Sequence, residues 1–303
     1  MSARNDEVPS LHDSRPAQAR RMSANVYALG AIALWAGLAS LGLALKHLPP
    51  FLLTGIALVI GSVPAWPLLR QWKVPPATLA LGVCGLFGYH FLLFIALRVA
   101  PPVEANLVNY LWPLFIVVLA PVFLPGLSLR AGHVLGALMG FAGAAIAILG
   151  SGSASGTWSW GYLPALGAAF MWASYSLLTR RLAAFPTAAV GLFGLVSGLL
   201  ALACHVLLEP AATISSSDWV LLAVMGLGPL GAAFFLWDRA LKRGDARQIG
   251  VLSYITPLAS TALLLLVTGR GLSWNIALAA ALIVGGAVVG TRTREAPAQA
   301  SAA

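Results

Sequence analysis

Residues 96–114 read Ala-Leu-Arg-Val-Ala-Pro-Pro-Val-Glu-Ala-Asn-Leu-Val-Asn-Tyr-Leu-Trp-Pro-Leu, and 144 positions later residues 240–258 read Ala-Leu-Lys-Arg-Gly-Asp-Ala-Arg-Gln-Ile-Gly-Val-Leu-Ser-Tyr-Ile-Thr-Pro-Leu. Without a gap, Ala96, Leu97 and Arg98 fall over Ala240, Leu241 and Lys242, and Tyr110, Pro113 and Leu114 fall over Tyr254, Pro257 and Leu258. That is six matches in 19 positions, with Arg98 over Lys242 counted as one, more than chance gives in a Leu/Ala-rich chain. At a slightly shorter offset, Leu34, Trp35 and Ala36 resemble Met171, Trp172 and Ala173, as a change in loop length would produce. The chain reads as two related halves.

The composition around these stretches excludes a water-soluble fold. Of 303 residues, 59% are hydrophobic and 9% charged, against about 45–50% and about 25% in an ordinary soluble domain. A helix needs about 20 apolar residues to cross the hydrocarbon layer. Apolar runs between charges and breakers give ten candidates: 25–45, 51–69, 76–97, 103–123, 132–150, 160–179, 187–208, 217–237, 247–268 and 274–291. The reading is an all-α membrane protein with a polar N-terminal tail (1–24), a first half of five spans (25–150), an outer linker (151–159), a second half (160–291) and a C-terminal tail (292–303). The run after the first tail is too long for a signal-peptide core, so the first span is retained.

With both tails in the cytoplasm, 15 of the 18 lysines and arginines fall inside, and only Lys46, Arg98 and Arg270 fall outside. Basic residues near span ends resist translocation, so this asymmetry sets the orientation expected in a bacterial inner membrane. Five spans per half is an odd number, and the second half then enters the membrane from the opposite side, the inverted-repeat plan of many secondary transporters. The segment from Arg98 to Asn106, assigned outside, has one basic residue; its mate, assigned inside, has Lys242, Arg243 and Arg247. Trp158, Trp160, Trp219 and Trp274 stand at expected span ends and read as an interfacial belt.

Several functions are excluded by what the chain lacks. The net charge of +9 belongs to cytoplasmic loops and not to a nucleic-acid surface. Cys84 and Cys204 both lie in apolar runs and frame neither a disulfide scaffold nor a metal site. No phosphate-cradling loop, His-Glu-x-x-His pattern or nucleophile elbow occurs, which argues against an enzyme and against any cofactor. Arginines spaced along a span, as in a voltage sensor, are also missing.

Polar groups at depth are expensive and therefore informative. Most spans have none; the third and fourth carry Tyr89, His90, Asn106, Asn109, Tyr110 and Trp112. Asn106, Asn109, Tyr110 and Pro113 fall at i, i+3, i+4 and i+7 and share a helix face, with Trp112 about 60° from Asn109 at its border. Such a face serves either as glue between helices or, with aromatics around it, as a site for an amphiphilic ligand. The repeat mate offers Gln248, Ser253 and Tyr254, with Pro257 matching Pro113; each proline can loosen its helix into a hinge or make only a static kink. Trp35 and Trp172, related by the repeat, either fill packing gaps or border a cavity, and Tyr175 one turn after Trp172 favours the cavity. His90 can take a proton near neutral pH or donate a single hydrogen bond as neutral imidazole. Glu104 is expected to pair locally, beside Arg98. Gly136 with Gly140, and Gly285, Gly286 and Gly290, mark close helix packing.

Gly88-Tyr89-His90, followed by Val103-Glu104-Ala105-Asn106-Leu107 and Asn109-Tyr110-Leu111-Trp112-Pro113-Leu114, resembles the EamA-type branch of the drug/metabolite transporter superfamily, and within it the YddG-type aromatic amino acid exporters. The likeness covers residues 25 to 291. It implies a basket-like cavity formed mainly by spans 1, 3, 4, 6, 8 and 9, and a secondary transporter that releases amino acids outward without ATP. It also implies substrate-binding roles for His90, Tyr110, Trp112 and Trp172. Leu93 stands where some relatives carry an aromatic. Taken together with the chemistry of the residues, the resemblance gives the expected substrate-binding set as Tyr89, His90, Asn106, Asn109, Tyr110, Trp112, Trp172, Tyr175 and Tyr254, with Pro113 and Pro257 as hinges and His90 as the candidate for proton coupling. The cargo it implies is an amino acid, preferably aromatic. The rival reading is efflux of lipophilic cations, which would profit from a buried mid-span carboxylate that the sequence does not show.

Overall fold

The computed structural model describes residues 15–149, 158–182, 184–268 and 274–293. Most of the two tails (1–14 and 294–303), the first seven residues of the expected outer linker (151–157) and Arg270 lie outside them. All regular structure among the described residues is helical. Eight helices are long and apolar enough to cross a membrane: Met22–Ala44, Pro50–Trp72, Pro76–Val99, Pro102–Phe123, Ala131–Leu149, Ala189–Leu208, Ser216–Arg243 and Trp274–Arg292. The other two expected spans are also helical but do not meet that measure. Tyr162–Leu178 has 17 residues, about 26 Å at 1.5 Å per residue, somewhat short of the hydrocarbon layer. The ninth is divided into Ala246–Leu252 and Ile255–Thr268.

Helix starts follow local chemistry. Pro50, Pro76 and Pro102 each open a helix, where the missing N–H costs nothing and the fixed φ is already helical. Ser215 and Asp218 form a reciprocal capping box before Ser216–Leu227, and Asp245 caps Ala246–Leu252 through the Arg247 N–H.

The 144-residue offset found in the sequence governs these boundaries. A π-helical turn at Cys84–Gly88 leads into Tyr89–Val99, and a second at Gly228–Ala232 leads into Ala233–Arg243. Pro102–Asn109 is interrupted before Trp112–Phe123, just as Ala246–Leu252 is interrupted before Ile255–Thr268. The interruptions fall at Tyr110–Leu111 and Ser253–Tyr254, a few residues before the prolines expected to cause them. Pro113 lies in the first turn of the new helix; lacking an N–H and crowding the carbonyl of Asn109, it opens that helix and matches the interruption just before it.

Helices Ala131–Leu149 and Trp274–Arg292 meet through the glycines that the sequence marks for close packing. A Cβ placed on Gly136 would lie 2.7 Å from the Gly286 carbonyl oxygen and 2.9 Å from the Gly290 Cα. Both neighbours are backbone, so neither can swing aside. Without a hydrophobic driving force inside lipid, this close approach supplies the van der Waals contact that holds the pair. Gly136→Ala should therefore destabilise the protein by about 1–3 kcal/mol, the usual cost of overpacking. Gly42→Ala, whose new methyl would meet nothing within 4 Å, should leave it unchanged. Thermal unfolding of the two variants in detergent checks this.

Candidate functional site

Four tryptophans from four separate helices converge. Trp35 ends the first helix, Trp112 begins the helix after the Tyr110 interruption, Trp172 lies in Tyr162–Leu178, and Trp237 lies in Ala233–Arg243. The Trp35 ring centroid stands 6.4 Å from Trp112, 5.8 Å from Trp172 and 5.3 Å from Trp237. The first two pairs are edge-on, the arrangement that aligns a positive ring edge with a negative ring face. Phe234 closes the group at 6.1 Å from Trp35 and 5.6 Å from Trp172. Two indoles are tied down by hydrogen bonds: Trp35 Nε1 donates to the Pro229 carbonyl at 3.0 Å, and Trp237 Nε1 donates to Ser176 Oγ at 3.1 Å. The first of these acceptors lies in a π-helical turn, so the irregular backbone fixes a ring of the site.

These rings floor a cavity of about 640 Å³, within the range that encloses small organic ligands. Trp35, Trp112, Trp172 and Phe234 line it, with Trp237 packed behind. Tyr89, His90, Asn106, Asn109, Tyr110 and Thr256 line its middle. Lys46, Pro50 and Arg98 line the end that the charge pattern assigns to the outside. Among the lining residues there is no Asp or Glu.

The middle is a polar ring with unfilled valences. Asn109 Nδ2 donates to the Tyr89 hydroxyl at 3.1 Å, which leaves the Tyr89 proton available to another acceptor. Asn109 Oδ1 and Thr256 Oγ1 are buried and have no hydrogen-bond partner. Uncompensated burial of a polar group costs about 1–3 kcal/mol, so these two enclosed oxygens gain when a side-chain turn brings them to a partner in the cavity. His90 Nδ1 donates to the Leu86 carbonyl at 2.6 Å. A carbonyl can only accept, so the proton of the neutral ring sits on Nδ1, and Nε2 is left as an acceptor.

Of the residues singled out in the sequence, Tyr89, His90, Asn106, Asn109, Tyr110, Trp112 and Trp172 come together on this lining. Tyr175 and Tyr254 are not part of it. Tyr175 is buried against Gly85 with its ring 5.4 Å from Trp172, so it supports a lining residue from behind. Tyr254 is buried against Gly140 and faces Phe141 at 6.5 Å. Pro257 borders a smaller recess shared with Asn106 and Tyr110, while the Pro113 carbonyl abuts Gly250. Arg98 pairs with Glu209 at 2.6 Å, a carboxylate from the far half of the chain that the sequence reading did not connect with it. Sequence reasoning also missed Thr256, Ser260 and Phe234. The spacing of Thr256 and Ser260, one turn apart just past the second interruption, was the available signal.

The model of the EamA-like transporter family matches this chain twice, over residues 22–149 and 159–291. An aromatic amino acid exporter YddG of Ancylobacter novellus is 43% identical over 288 residues, covering 89% of this chain and 98% of that protein. A second protein of that name, from Escherichia coli, is 26% identical over 89% of this chain and 97% of its own length. A crystal structure of a protein 43% identical to this one superposes with a TM-score of 0.82, covering 89% of this chain and 97% of that one.

Thr256→Val tests whether the cavity wall reads polar ligands. It removes an unpartnered hydroxyl at nearly constant shape, so the ligand-free protein should be as stable as the wild type or more so. Thermal stabilisation by a polar ligand seated in the cavity should fall, corresponding to about a threefold to tenfold weaker affinity. A thermal-shift titration reads both.

Proposed function

The chain belongs to the EamA-like transporter family, and on that premise we propose that this multi-pass inner-membrane protein exports amino acids, aromatic ones by preference, by alternating access of two inversely inserted five-span halves. The observation that carries the reading is the division of one cavity into an aromatic floor and a polar middle. An aromatic amino acid presents the same two parts. Its ring stacks within the cage of Trp35, Trp112, Trp172 and Phe234, and its ammonium finds His90 Nε2 as an acceptor, with Asn109 Oδ1 joining once its side chain turns toward the cavity.

Opposed insertion is supported by the charge asymmetry between the repeat mates and by helix boundaries that recur 144 residues apart. Interrupted helices at a mid-membrane site are where transporter halves hold cargo and change shape, because irregular backbone at depth is tolerated only beside a cavity or inside protein. The interruptions at Tyr110 and Ser253–Tyr254, with the two π-helical turns, supply such places in matched positions. Efflux of lipophilic cations ranks second, since the lining carries Lys46 and Arg98 and no carboxylate.

In proteoliposomes, Trp112→Ala and His90→Ala should each reduce phenylalanine flux at least about tenfold, the scale of one lost ring or charge-assisted contact. Full-rate transport by both variants would remove these side chains from the site. Stabilisation of the protein by tetraphenylphosphonium and not by any aromatic amino acid would reverse the ranking of cargo. If His90 carries a coupling proton, an imposed pH gradient should drive phenylalanine accumulation in the wild type and not in His90→Gln; wild-type flux that ignores the gradient excludes that role.

A further inference from the structure

The outer end of the cavity carries chemistry that the ring floor and polar middle leave unused. The Arg98 side chain lines the cavity and is 43% exposed, yet it is held in place. Its Nη2 donates to Glu209 Oε1 at 2.6 Å, and the guanidinium carbon stands 5.7 Å from the centre of the Phe51 ring. The Glu209 side chain has no exposed surface. Its carboxylate accepts the Phe51 N–H at 3.0 Å, the Leu52 N–H at 3.2 Å and His205 Nδ1 at 3.0 Å. The two backbone donors belong to the first turn of Pro50–Ser62, where N–H groups have no intrahelical acceptor. Glu209 is therefore satisfied by the helix end, His205 and Arg98, and presents no charge to the cavity.

A guanidinium has five N–H donors in a planar fork, and one of its nitrogens is engaged here; the remainder match a second carboxylate. Lys46 adds a further cation to the same end; Glu209 offsets the charge of Arg98 but is fully enclosed, so the lining itself presents two cations and no acid. Such a mouth attracts a ligand carrying a carboxylate and disfavours the same skeleton reduced to a bare amine.

We propose that Arg98, positioned by Glu209 and Phe51, recognises the carboxylate of the cargo at the outer mouth of the cavity, and that this contact makes the transporter select amino acids over the corresponding amines. The proposal rests on the export reading and assigns it a specificity determinant. Arg98 touches the cargo. Glu209 is a positioning residue that acts through it.

The test compares phenylalanine with phenethylamine, which keeps the ring and the ammonium and lacks the carboxylate. Binding of each to the purified full-length protein is measured by displacement of radiolabelled phenylalanine and by thermal stabilisation. Arg98→Gln should weaken phenylalanine about tenfold, the scale of one charge-assisted hydrogen bond, and leave phenethylamine unchanged or tighter. Arg98→Lys should restore part of the discrimination. Glu209→Gln should reduce discrimination in the same direction by a smaller factor. Equal weakening of both ligands by Arg98→Gln would make Arg98 merely structural and overturn the proposal, as would unchanged affinity for phenylalanine. A wild-type protein that binds no amino acid would instead overturn the export reading itself.

Discussion

Inside a bilayer no water is available to complete a hydrogen bond, so every polar group at depth must find a partner within the protein or face an enclosed space. This constraint orders the whole molecule. The spans are predominantly apolar, and several of the exceptions are gathered on the lining of one cavity, where Tyr89 and Asn109 bond each other and His90 bonds the Leu86 carbonyl. The irregular backbone obeys the same rule. The interruption at Tyr110 lies on the cavity lining, and the π-helical turn at Gly228–Ala232 presents its Pro229 carbonyl to the Trp35 indole.

Glycine then makes this distribution possible. Cavity walls built from bulky rings need room behind them, and the surrounding helices supply it by removing side chains. Gly85 makes space for Tyr175, which backs Trp172, and Gly140 makes space for Tyr254. These glycines are helical and are required by close approach, not by unusual backbone angles. The floor is thereby closely packed: its rings meet at edge-on, tilted and stacked angles with centroids 5.3–6.4 Å apart, and each such pair adds about 0.5–1.5 kcal/mol beyond simple burial.

Much of this was legible in the chain before any coordinates. The duplication was, because helix starts and stops are set by local residues, and local residues are what a repeat preserves; an offset read from Tyr110 and Tyr254 reappears in the bounds of the π-helical turns. The polar stripe of Asn106, Asn109 and Tyr110 was also legible, since a 3.6-residue period places such residues on one face. What periodicity cannot say is which neighbour a face meets. Tyr254 shares the register of Tyr110, yet it packs on Gly140 and Phe141 while Tyr110 lines the cavity. Likewise Arg98 finds its carboxylate 111 residues away at Glu209, whereas Glu104 was the acid nearest to hand in sequence.

The two ends of the cavity differ in how they are closed, and that difference bears on the transport cycle. Beyond the tryptophan floor, toward the side assigned to the cytoplasm, Asp238 Oδ2 accepts from Thr187 Oγ1 at 2.6 Å and from Lys242 Nζ at 2.7 Å. Lys242 also donates to the Phe185 carbonyl at 2.8 Å, and Arg180 to the Gly244 carbonyl at 2.9 Å. The helix carrying Trp237 is thus stitched to the segment after Tyr162–Leu178. At the other end, Arg98 and Glu209 anchor helix ends to one another but leave the guanidinium beside an accessible cavity. On the export reading this is the outward-open arrangement. With halves that alternate as proposed, admitting cargo from the cytoplasm would break the inner contacts, of which the charged ones are each worth about 1.5–3 kcal/mol. That cost falls on the reset of the transporter and not on release, so a gradient coupled to this protein would do its work in reopening the inner side.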